Sequence, residues 1–217
     1  MERGGCGALV GTVVGVRSGR SRARVVVSRD GRVALLLAAW GLKDVPREGW
    51  RLRGVGEGGS VESVAAHAWG TALLCMLFAD DAGVDREVAL EMALVHDVAE
   101  VETGDVAALL DASARRMTEE EKARREAEAM DRLAGLAPGV AERLRSRWQA
   151  YEAREGDAAR FVRDMNLIDM VVQAWWYERV GRAAGGELDE FFTSARSRID
   201  TPFARGLLAE IEAERGV

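Results

Sequence analysis

This sequence is poor in the residues that most often advertise a function. Its 217 residues include two histidines, two cysteines and three prolines, and Lys43 and Lys122 are the only lysines. Cys6, in a glycine-rich start, and Cys75, inside an apolar run, supply no disulfide framework and fit a reducing compartment. No apolar run reaches the roughly 20 residues of a membrane-spanning helix, and the first seven residues lack the apolar segment of a secretory signal. A cytoplasmic protein without a membrane partner is expected. Two histidines are also too few for an imidazole-rich dinuclear oxygenase centre. The net charge of −6 argues against binding a nucleic-acid polymer and leaves any phosphate recognition to a local arginine cluster.

What is present is ordinary for one globular domain with a sizeable core: 48% hydrophobic and 30% charged residues. Residues 1–32 stand apart, being rich in Gly, Val and Arg. They read as an N-terminal extension, either a short β-hairpin built from residues 8–16 and 23–27 or a disordered segment. From residue 33 helical periodicity takes over and defines a second unit, residues 33–217. Helices are expected at 34–41, 64–79, 85–100, 105–110, 118–136, 138–154, 157–180, 188–199 and 202–215, with a Gly- and Pro-containing loop through residue 59. Thr118 with Glu121 makes a capping box, and Pro138 sits at a helix start. The fold class is all-α. Trp175, Trp176 and Tyr177 read as core or dimer interface, and the charged stretch 124–132 as a solvated helical face.

The chemistry is concentrated in Ala93-Leu94-Val95-His96-Asp97-Val98-Ala99-Glu100. On a continuous helix His96 and Glu100 share a face, while Asp97 points about 100° away. His67, the other histidine, lies in a second apolar helix. An imidazole, a carboxylate and a further imidazole suit a divalent cation, although a lone histidine in such a context is more often a satisfied core residue.

These residues carry a resemblance. Glu62-Ser63-Val64 with His67, the run through His96-Asp97 and Glu100, and Gly104-Asp105 resemble the HD-domain phosphohydrolases, in particular their 5′-deoxynucleotidase branch. The likeness continues through Glu119-Glu120-Glu121-Lys122, Trp148-Gln149-Ala150-Tyr151-Glu152, Phe161-Val162-Arg163 and Thr201-Pro202-Phe203, and spans roughly residues 34–216. It implies an HD-domain helical bundle, a homodimer and one divalent metal ion (Mn, Co, Zn, Mg or Fe). It further implies removal of the 5′-phosphate from (deoxy)nucleoside monophosphates.

By the same resemblance His67, His96 and Asp97 are metal ligands, Glu100 manages the proton of the attacking water or leaving oxygen, and Asp105 contacts the sugar or caps a helix. Arg47 would neutralise phosphate and Trp50 would stand against the sugar. The fourth ligand departs from the family pattern: Asn166 occupies the place of an aspartate. It can donate a carbonyl oxygen but brings no charge, and Asp169 is the neighbouring carboxylate that could take over. A catalytically weakened descendant, binding nucleotides or serving structurally, is the alternative reading.

Overall fold

The computed structural model describes residues 12–18, 21–28, 30–55, 61–106 and 117–216. Strands β1 (Thr12–Ser18) and β2 (Ser21–Ser28) pair antiparallel and run alongside the first helix; of the strands expected at 8–16 and 23–27, residues 8–11 lie outside the described residues. The elements described after this pair are helices: α1 (Gly31–Trp40), a 3-10 turn (Gly41–Asp44), α2 (Glu48–Leu52), α3 (Val64–Phe78), α4 (Arg86–Val95), α5 (Glu100–Thr103), α6 (Glu119–Leu136), α7 (Pro138–Glu152), α8 (Gly156–Arg179), α9 (Asp189–Arg198) and α10 (Pro202–Arg215). The helix expected at 105–110 lies largely outside the described residues. None of the described helices is long and apolar enough to cross a membrane.

Local chemistry sets most of the boundaries. Asp30, Ser63, Asp85, Thr118 and Thr201 each accept a backbone N–H at a helix start, and Pro138 and Pro202 occupy first-turn positions where no N–H is needed. Helix α8 is the axis of the bundle. Phe161, Val162, Met165, Ile168, Val171, Ala174 and Tyr177 along it are buried, and α3, α4, α7, α9 and α10 pack around them. Small residues on α3, namely Ala68, Ala72 and Cys75, let α3 come close to α8. The approach is tightest at Gly70, where an added Cβ would lie 1.9 Å from Asp169 Oδ1.

A buried carboxylate fastens the far end. Asp164 accepts from the Asp200 and Thr201 backbone N–H groups at 3.0 and 2.7 Å and from the Thr201 hydroxyl at 2.6 Å, which fixes the α9–α10 turn on α8. A second apolar cluster, including Leu35, Leu42, Val45, Val64, Val101 and Leu133, seats α1 and α6 beside the mouth of the bundle.

One element differs from the periodicity. The helix expected at 85–100 stops at Val95, and residues 96–99 form a tightened turn before α5. Val98 N–H donates to Val95 O at 3.1 Å and Glu100 N–H to Asp97 O at 3.0 Å, bonds of the i→i+3 type that wind the chain more tightly than an α-helix. Asp97 is thereby turned back toward His96 instead of about 100° away from it.

Candidate metal centre and phosphate cavity

Three elements deliver the convergent side chains. His67 stands on the first turn of α3, His96 caps the end of α4, and Asp97 follows in the tightened turn. His67 Nε2 lies 3.4 Å from His96 Nε2 and 3.7 Å from Asp97 Oδ2, and His96 Nε2 lies 3.2 Å from the same oxygen. Each imidazole is oriented by its other nitrogen. His96 Nδ1 donates to the Ala93 carbonyl at 2.8 Å, and His67 Nδ1 sits 2.6 Å from Asp169 Oδ2. A carboxylate behind a histidine in this way fixes its tautomer and leaves Nε2 as the donor to a cation.

The electrostatics agree with that role. Burial, reinforced by the Arg47 charge, pushes the His67 imidazole down to about 3, so it is neutral and able to ligate. Burial also opposes charge on His96, but the adjacent Asp97 outweighs it and raises the imidazole above its ordinary value. For Asp97 burial acts upward, and His96 and Arg47 prevail, holding the carboxylate well below the usual range. Burial first, then Asp97 and Asp105, drive Glu100 well above it. Glu100 Oε2 is buried and has no hydrogen-bond partner among the described residues.

Two nitrogen lone pairs and an anionic oxygen facing one another at 3.2 to 3.7 Å are a donor set for a borderline or hard divalent ion. His67, His96 and Asp97 therefore fit such an ion. Glu62, His67 and Asp169 form a second, overlapping cluster. In it Asp169, pushed up to about 7 by burial, is tied to the imidazole's Nδ1.

The other expected residues border one cavity of about 430 Å³. Arg47 Nη1 lies 3.3 Å from Asp97 Oδ2 and 3.4 Å from Asp105 Oδ1. Asp105 Oδ2 accepts the Glu48 N–H at 2.5 Å, so this carboxylate caps the start of α2 from outside. Trp50 borders the cavity yet is only 1% exposed: its Nε1 donates to Glu62 Oε2 at 2.8 Å, and its ring packs on Phe191 and Tyr177 at 4.2 and 5.3 Å. Asn166 is half-buried in the wall, with Nδ2 donating to the Tyr151 hydroxyl at 3.0 Å. Tyr151 in turn packs against His96, ring centroids 5.2 Å apart.

Several wall residues carried little signal in the sequence. Asp169 reaches His67 across 102 positions, and only Gly70 opposite marks the approach. Lys122 and Glu126, paired at 3.2 Å one turn apart on α6, face inward from a helix otherwise lined with surface ion pairs.

The sequence matches the HD domain family over residues 40–205. The chain belongs to that family. Human 5′-deoxynucleotidase HDDC2 is 35% identical over 175 residues, covering 80% of this chain and 81% of that protein, and the Danio rerio 5′-deoxynucleotidase HDDC2 is 33% identical over 80% and 82%. The crystal structure of PH0347 protein from Pyrococcus horikoshii OT3 superimposes with a TM-score of 0.65 at 28% identity, covering 83% of this chain and 96% of that one. With relatives of this kind over most of its length, the chain is an HD-domain hydrolase of the phosphomonoesterase type, and HD domains depend on metal.

Proposed function

We propose that this HD-domain protein removes the 5′-phosphate of deoxynucleoside monophosphates. The observation that carries the reading is the convergence of His67 Nε2, His96 Nε2 and Asp97 Oδ2 at the edge of a cavity that His96 and Asp97 line together with Arg47 and Glu100, whose buried Oε2 has no hydrogen-bond partner among the described residues. His67, His96 and Asp97 would hold a divalent cation, which would supply Lewis acidity and a more acidic water. Asn166, if it ligates, does so through its carbonyl oxygen, since its amide nitrogen donates to Tyr151.

The chain's own groups do the rest. Burial, with Asp97 and Asp105 beside it, pushes the Glu100 carboxyl well above its ordinary value and so favours its protonated form, which places it to give a proton to the departing sugar oxygen and to take up the one lost by water. Arg47 offsets the charge of Asp97 and Asp105 and presents a fixed cation to the incoming phosphate. Trp50, held on three sides by Glu62, Tyr177 and Phe191, is a rigid fence whose bulk disfavours a ribose 2′-hydroxyl.

The protein acts in the cytoplasm on a small nucleotide, without a nucleic-acid polymer, and as a homodimer. Exposed apolar residues on α1 (Leu36, Leu37 and Trp40) and on α8 (Val172 and Trp176) support a second copy as their cover. Phosphate release from deoxy- and ribonucleoside monophosphates, with Mn, Co, Zn, Mg or Fe added in turn, tests the reading. Release from deoxynucleotides above that from ribonucleotides is expected. Background rates with every metal, alongside nucleotide binding by calorimetry, would replace the enzyme with a binding module.

A further inference from the structure

The cavity has a second cationic side. Arg163, on α8, stacks its guanidinium over the Tyr151 ring at 5.1 Å. Tyr151 packs on His96 at 5.2 Å, which places that guanidinium no more than about 10 Å from the His96 ring. Arg198, in the last turn of α9, lines the same cavity, as does Arg163, whose charge acts on it. Among the described residues neither is within ion-pair distance of a carboxylate, and Glu152 and Glu119, on the same cavity wall, act on Arg163 and Arg198 at longer range. Much of Arg198 is open to solvent, yet partial withdrawal from water and the Arg163 charge still hold its guanidinium below the ordinary value. Arg47, by contrast, is already engaged by Asp97 and Asp105.

Asn166 offers Arg163 no charge. The two are three residues apart on α8 and line the same wall. A carboxylate at 166 would be an i,i+3 partner for the arginine. An amide is not, and here it is occupied by Tyr151. Two like charges on one cavity wall repel one another, and an anion bound between them offsets that cost. Planar guanidinium groups suit a phosphate, whose oxygens accept paired N–H donors.

We infer that Arg163, on its Tyr151 shelf, and Arg198 form a phosphate-binding subsite of the cavity that Arg47 also lines. The inference deepens the proposed function and rests on it. The phosphate comes from one of two sources: the 5′-phosphate that is hydrolysed, or a second phosphate carried by the same nucleotide.

The test is calorimetric titration of the protein, with turnover stopped by chelator, using deoxyadenosine, its 5′-monophosphate and its 3′,5′-bisphosphate. Arg163→Gln and Arg198→Gln are compared with the parent, and Arg163→Lys and Arg198→Lys keep the charge should a glutamine variant melt early. Each glutamine variant is expected to weaken phosphate-dependent binding by about 10-fold, with the lysine variants between, and deoxyadenosine unaffected. Equal weakening of mono- and bisphosphate assigns the subsite to the hydrolysed group. Weakening of the bisphosphate alone assigns it to a second one. Unchanged affinity for both nucleotides, or no phosphate-dependent binding in the parent, would overturn the subsite. Phosphate release with added metal is scored separately, so a failure of the hydrolase reading is seen apart from a failure of the subsite.

Discussion

His67 Nδ1 lies 2.6 Å from Asp169 Oδ2, so the opposite nitrogen is the one presented to His96 and Asp97. Loss of such a partner typically weakens a metal site by about 10- to 100-fold. Asp169→Asn is therefore expected to reduce divalent-metal affinity within that range while the fold persists. Gly70→Ala should act in the same direction, because its Cβ would meet the Asp169 carboxylate at 1.9 Å. Metal titrations beside thermal melts check both. Parental affinity in either variant would show that the carboxylate does not orient the imidazole.

Asn166 isolates the ligand at which the chain departs from its family. Asn166→Asp adds an anionic oxygen beside Tyr151 and is expected to tighten metal binding by about 10-fold or more and to raise the rate at saturating metal and substrate. The same carboxylate can pair with Arg163 one turn away, so KM for the nucleotide should rise. Asp97→Asn should abolish activity, since that oxygen is shared by His67, His96 and Arg47. Initial rates with metal and substrate varied independently separate the two effects of Asn166→Asp. No change in metal affinity would place residue 166 outside the metal shell.

Burial pushes Glu126 up to about 7 from 4.5, against the pull of its partner Lys122. Between those values the folded protein holds a proton that the unfolded chain has released, so stability falls as pH rises through this window. The contribution is at most about 1.4 kcal/mol per pH unit. The Glu126→Gln variant loses the share of the slope that Glu126 contributes, while the share from Asp169, also raised by burial, remains. Denaturant midpoints at several pH values, parent against variant, measure it. Identical slopes would contradict the assignment.

Asp164 is expected to matter for stability alone. It is buried and accepts three hydrogen bonds at the α9–α10 turn, so Asp164→Ala should cost about 2–4 kcal/mol in chemical denaturation. A cost below 0.5 kcal/mol would mean that the turn holds without it.

How far the sequence could be read follows from the range of the forces involved. Helix spans come from 3.6-residue periodicity and from caps such as Asp85 and Thr118, both local, and the structure places those helices within a few residues of expectation. His96, Asp97, Glu100, Asp105, Arg47, Trp50 and Asn166 line one cavity, and His67 meets His96 and Asp97 behind it. The break after Val95 escaped because apolar periodicity does not distinguish an i→i+4 turn from an i→i+3 turn. Asp169 behind His67, and Arg163 beside Arg198, are tertiary pairings with no local signature. Trp50 is more enclosed than a sugar-facing residue suggests, because its indole N–H finds a buried partner in Glu62.

The central claim is that metal held at His67, His96 and Asp97 supports phosphate release from a deoxynucleoside 5′-monophosphate. Its most direct test is stepwise reconstitution of chelator-treated protein with Mn, following bound metal by elemental analysis and phosphate release on the same samples. The account predicts release that rises in step with bound metal in the parent and stays at background in Asp97→Asn at every addition. Release that is undiminished by the chelator, or that stays at background in the metal-saturated parent, would contradict it.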